Sequence, residues 1–185
     1  MSTMTPYRFN VRRFDKLLAA GLFSDSKVEL LNGLLIMMTS GPAHDFVVTA
    51  LVDALRGRLD KNEWAVREEK PVVLSDRWKP LPDVSVVRGP FTDYKDRTPE
   101  AVDVALLVEV SDTTYPKDSG FKRRWYARFG IPAYWIVHIN RRVVEVYAPD
   151  ATGLGLAATY TEHQEIPLSL DGRSFGTVLA AGLFP

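Results

Sequence analysis

The chain has no cysteine among its 185 residues. Disulfides, thiolate zinc sites and cysteine nucleophiles are therefore excluded. It also has no excess of charge: 23 Lys plus Arg balance 23 Asp plus Glu. That excludes a protein coating nucleic acid through overall basicity, but leaves room for a local basic face. No apolar run approaches the ~20 residues of a membrane-spanning helix. Met1–Pro6 has no basic stretch leading into an apolar one, so no signal peptide is expected. We expect a soluble, cytoplasmic protein. Histidine is scarce, with 3 residues, and none stands at H-x-x-x-H spacing. What is present, 46% hydrophobic and 25% charged residues, is enough for a real core. Without repeats or low-complexity tracts, residues 1–185 read as a single domain, with a core of about 10–150 and an extension over 151–185.

Hydrophobic periodicity and turn residues organise the chain. Residues 10–20 read as a short amphipathic helix, with Asn10 as N-cap and Gly21 just past its end. Two apolar runs flank Asn32-Gly33, the strongest two-residue turn signal, and predict a hairpin over 27–38. Gly41-Pro42 sets off a helix over 43–61, whose period runs through Val47, Leu51, Ala54 and Leu55. Strands are expected at 64–69, 71–74, 82–88 and 103–111. A helix over 118–129, closed by Gly130 and Pro132, precedes strands at 133–139 and 143–147. A further strand pair near 156–161 and 164–168 and a short helix near 174–180 complete the reading. The fold class is mixed α/β, with a central sheet covered on both faces because two of its strands are continuous apolar runs.

Two acids interrupt those runs. Asp83 sits in Leu81-Pro82-Asp83-Val84 and Glu109 in Leu107-Val108-Glu109-Val110. Burying an unpaired charge in a strand is costly, so two such exceptions in successive strands ask for a common explanation. A hard divalent cation provides one. Alternation places Leu107, Glu109 and Ser111 on one face of their strand. On the helix, Phe121, Trp125, Asp118, Phe129, Lys122 and Tyr126 share one face roughly 140° wide at about 100° per residue. Lys122 therefore points inward with the aromatics, where a carboxylate–metal–phosphate site would partner it. Arg123, Arg124 and Arg128 lie outside that face.

Pro82-Asp83, Glu109 and a following lysine resemble the PD-(D/E)xK motif of restriction-endonuclease-like nucleases. More specifically, the chain resembles the Uma-type family of that superfamily, once a domain of unknown function and common in bacteria. The resemblance covers roughly residues 10–150. It rests on Val28-Glu29-Leu30-Leu31-Asn32-Gly33, Pro82-Asp83-Val84 and Leu107-Val108-Glu109-Val110-Ser111, then Asp118, Lys122, Tyr126 and Gly130-Ile131-Pro132-Ala133-Tyr134-Trp135-Ile136-Val137. It implies a restriction-endonuclease-like core: a four-stranded mixed sheet flanked by helices, with additional hairpins. It implies Mg²⁺, with Mn²⁺ as substitute, held by Asp83, Glu109 and the Val110 carbonyl. Glu29 would join the acidic cluster. Lys122 would replace the lysine usual two residues after the glutamate, where this chain has Ser111. His44, Ser111 and Asp118 are accessory candidates, and Lys117, Arg123 and Arg124 candidates for gripping nucleic acid. His138 stands where the family often has an aspartate.

Each residue also has a structural reading. Asp83 could bond a turn at strand entry, Glu109 pair with an arginine, and Lys122 snorkel from the helix edge. Glu29 could be an exposed strand charge, Asp118 a helix-start acid, His44 a satisfied helix-start histidine, and the basic run a solvated face. Three functions follow: a metal-dependent endonuclease acting on DNA, a nuclease-fold binding or scaffolding module without strong catalysis, and a hydrolase of small phosphate esters. A homodimer is expected by analogy with nucleases that cut both strands.

Overall fold

The computed structural model describes residues 6–112 and 114–185. Asn32 and Gly33 both take positive φ, 50° and 78°, which suits the twist of a two-residue hairpin. They join β1 (Lys27–Leu31) to β2 (Leu34–Met38) with Leu31 opposite Leu34. The hairpin is pinned from outside: Leu30 and Lys79 exchange backbone bonds of 3.1 and 2.9 Å, and the Gly33 N–H donates to the Arg77 carbonyl at 2.9 Å. Helix α1 (Val11–Ala19) starts where Asn10 accepts from the Arg13 N–H at 3.0 Å. Helix α2 (Pro42–Arg56) begins with proline in its first turn, where a missing N–H costs nothing.

A six-stranded sheet lies at the centre, in the order β3 (Trp64–Glu68), β4 (Val84–Arg88), β5 (Val104–Ser111), β6 (Tyr134–His138), β7 (Val143–Asp150) and β8 (Gly153–Thr161). Only β5 and β6 pair in parallel; the other pairings are antiparallel. A parallel pair needs a crossover, supplied by a π-helical turn (Lys117–Lys122) running into α3 (Arg123–Arg128). Alternation along β5 separates two cores. Leu106, Val108 and Val110 pack with Val47, Leu51 and Leu55 of α2, whereas Leu107 packs with Tyr126, Ile131 and Tyr134 beneath the crossover. A hairpin of β9 (Glu165–Leu170) and β10 (Arg173–Leu179) adds Ile166, Leu168 and Val178 to the α2 side. Fully buried leucines such as Leu51 and Leu106 each stabilise the fold by about 2 kcal/mol.

Several expectations need correction. Residues 71–74 are not a strand: Val72 donates to the carbonyl of Pro80, which has no N–H to return, and Val73 makes one isolated parallel bridge to Glu100. Helix α2 ends at Arg56 rather than 61, at Gly57. The segment near 174–180 is strand β10, not helix; Asp171 and Gly172 have φ of 49° and 75° and make a second tight hairpin turn. The strand near 156–161 pairs with β7, not with the one that follows. The sheet is six-stranded, extending the four strands that the resemblance implies.

Candidate functional site

In β4 and β5, Val84 faces Val108, so Asp83 and Glu109 lie one step further along the same antiparallel ladder. At that point β4 has not begun, and the Val110 N–H would have no backbone partner there. Asp83 fills the role: its Oδ2 accepts from the Val110 N–H at 2.6 Å. Its other oxygen, Oδ1, lies 3.2 Å from His44 Nε2, on the first turn of α2.

Glu109 is buried, and its Oε1 accepts from Lys122 Nζ at 2.9 Å and from the Tyr126 hydroxyl at 2.7 Å. Glu29, fully buried on β1, faces the same lysine: Oε2 lies 3.2 Å from Lys122 Nζ and Oε1 accepts from Lys117 Nζ at 3.2 Å. The Leu81 N–H also donates to Glu29, at 3.3 Å. Asp118 is buried with Oδ2 accepting from the Thr114 hydroxyl at 2.6 Å, while its Oδ1 has no partner among the described residues. Ser111 is buried, with its hydroxyl 3.3 Å from that of Thr114.

The structure thus brings together Asp83, Glu109, Glu29, Lys122, Asp118, Lys117 and His44. Asp83, Glu109, Val110, Asp118, Lys117 and His44 line one cavity of about 390 Å³, whose other wall runs from Met37 to Gly41. Arg123 and Arg124 do not line it. Arg123 bonds the Ser119 and Leu154 carbonyls and lies over the Tyr147 ring, and Arg124 bonds the Gly120 carbonyl. His138 packs on Tyr115 and faces Glu145, and His163 is exposed. Two contributors lie outside the expected set. Tyr126 had a signal, four residues beyond Lys122 on the same helical face; Thr114 had none.

Charge decides the electrostatics. Burial raises the Glu109 carboxyl to about 8; Asp83, Asp118 and Glu29 push the same way and Lys122 opposes them. Burial would lower the Lys122 ammonium, but Glu109 and Glu29 outweigh it and hold its pKa above the usual lysine value. Asp118 is raised by burial against the pull of Lys122. His44 is opposed by burial, yet Asp83 and Asp45 raise it. Crowded acids next to an unpartnered Asp118 oxygen form a donor set of hard oxygens, which fits a divalent cation. Among the described residues, a separate grouping of His44, Asp45 and Glu69 brings its ligand atoms within 4.8 Å of one another, at the edge of the same region. There Glu69 already pairs with Lys27, and His44 Nδ1, 3.5 Å from Asp45 Oδ1, has no hydrogen bond among the described residues.

A family profile named Uma2 and described as "Putative restriction endonuclease" matches residues 12–180. A search of curated proteins returns no match. Among solved structures, the chain is similar to a crystal structure from Anabaena variabilis described as "a putative nuclease belonging to DUF820". The TM-score is 0.66 at 14% identity, covering 96% of this chain and 97% of that one. At that identity the likeness establishes the fold.

Proposed function

We propose, from the premise that the chain belongs to the Uma2 family of restriction-endonuclease type, that it is a Mg²⁺-dependent endonuclease hydrolysing phosphodiester bonds in DNA. Family membership points to a nuclease; the metal, the DNA substrate and the site residues are our reading. The observation that carries it is the cavity shared by Asp83, Glu109 and Val110, with an Asp118 oxygen beside them that is unpartnered among the described residues. Asp83, Glu109 and the Val110 carbonyl would hold the ion. A bound divalent cation supplies Lewis acidity and lowers the pKa of a coordinated water.

The protein's own residues prepare that chemistry. The Val110 N–H orients Asp83, and Lys122 with Tyr126 orients Glu109. Glu29 anchors both lysines of the crossover. In the reaction, the water oxygen bonds to phosphorus, the bond from phosphorus to one sugar oxygen breaks, and that oxygen leaves as a hydroxyl carrying a proton from water. We read the whole chain as one domain, because β9 and β10 share the core of α2 and the central sheet. A homodimer would let two such sites cut both strands.

The test is cleavage of plasmid DNA with Mg²⁺ or Mn²⁺. Wild-type protein should nick it, and Asp83→Ala or Glu109→Ala should lower the rate by about 100-fold or more. Equal cleavage by wild type and both variants removes the assignment. A binding module with weak catalysis is favoured by one observation, that Ser111 occupies the usual lysine position and is buried. DNA binding without any metal-dependent cleavage would select it.

A further inference from the structure

Resting on that reading of the cavity as a phosphodiester site, we infer that Lys117 is the catalytic cation meeting the substrate phosphate, and that Lys122 is a positioning residue. The two lysines differ in access. Lys122 has a side-chain exposure of 0% and is absent from the cavity wall. Its ammonium is committed to Glu109 at 2.9 Å and Glu29 at 3.2 Å. Glu109 lines the cavity and Lys122 lies behind it. Bringing Lys122 forward would leave buried Glu109 without its counter-charge and Glu29 with Lys117 alone.

Lys117 has a side-chain exposure of 31% and donates to Glu29 at 3.2 Å. An ammonium has three donors, so this bond leaves others for a ligand. Among the described residues lining the cavity, which include Asp83, Glu109 and Asp118, Lys117 is the sole lysine or arginine. Beside the metal, a phosphoryl group entering there meets one lysine ammonium, and charge developing on its oxygens is stabilised by it.

The backbone explains how both lysines reach one carboxylate. Five residues along a regular α-helix turn the chain by about 500°, leaving positions 117 and 122 roughly 140° apart. The segment Lys117–Lys122 is instead a π-helical turn, whose wider i→i+5 bonded turn brings those two positions much nearer to one face. Glu29 can then bind Lys117 through Oε1 and Lys122 through Oε2. The irregular turn divides the work: one lysine is turned inward to hold Glu109, the other kept at the wall.

Lysine acylation of the full chain, read by mass spectrometry with and without a DNA duplex and without metal, tests access. Lys117 should be modified in the free protein and protected by DNA, and Lys122 unmodified in both. Kinetics with Mn²⁺ test the role. Lys117→Met should lower kcat by about 100-fold while keeping a thermal midpoint above that of Lys122→Met, because Glu29 retains Lys122, and Lys117→Arg should recover part of the loss. If wild type cleaves DNA and Lys117→Met cleaves within about threefold of it, or DNA protects Lys122 and not Lys117, the inference is overturned while the nuclease reading stands. Wild-type protein that neither binds nor cleaves DNA overturns that reading, and the inference with it.

Discussion

Glu109 is held by a lysine and a tyrosine that approach the same oxygen, and the lysine is itself shared with Glu29. Removing the lysine therefore leaves buried Glu109 without a counter-charge and Glu29 with Lys117 alone. Lys122→Met should destabilise the protein by about 3–5 kcal/mol, measured by urea denaturation without metal. A loss below about 1 kcal/mol would mean that the cluster relaxes by taking up protons. Asp83 and Glu109 could be singled out in the sequence because Glu109 interrupts an apolar strand and Asp83 directly precedes another, and burying a charge there is expensive. Their partners were less legible. The Val110 N–H that binds Asp83 is a backbone group, which every residue but proline carries, and Thr114 on Asp118 sits in a polar loop with no periodic signal.

At the level of elements, the hairpin that presents Glu29 depends on Gly33. A side chain there would meet Arg8 Cβ at 2.7 Å and the Phe9 carbonyl oxygen at 2.9 Å, at a φ of +78°. Gly21 has a similar φ of +74° with nothing within 4 Å. Gly21→Ala should cost about 1 kcal/mol of backbone strain, and Gly33→Ala at least about 1 kcal/mol more. Equal losses by chemical denaturation would show that the hairpin is not tightly seated on the segment before α1. Asn32-Gly33 was readable because only a few residue types tolerate two successive positive φ values. The equivalent Asp171-Gly172 turn carried the same signal, but the following Arg173–Leu179 segment, interrupted by Gly176, lacks the alternation that separates strand from helix. The crossover helix was readable as a face: Asp118, Lys122 and Tyr126 are buried, and Phe121, Trp125 and Phe129 pack on Trp78. Its π-helical start was not, since residue composition says little about one extra residue in a turn.

For the whole molecule, the site links stability to pH. Glu109 has its pKa raised from an ordinary 4.5 to about 8, and Asp118 and His44 are also raised. A raised folded pKa means that the folded state keeps a proton the unfolded chain releases. The stabilisation from Glu109 is thus complete below about 4.5 and lost as pH rises through about 8. Metal-free protein should melt at progressively lower temperature between those limits, and Glu109→Gln should flatten the slope. A melting temperature that rises over that range in wild type, with the same slope in Glu109→Gln, would contradict this balance of charges. The sequence by itself determined the mixed α/β class, the first hairpin and the two acids, because periodicity, turn chemistry and the cost of a buried charge all act locally. Tertiary structure alone decided that β4 lies against β5, that Glu29 comes from a separate hairpin to share Lys122, and which lysine reaches the cavity. Those outcomes depend on strand order and on the packing of segments distant in the chain, which no local pattern encodes.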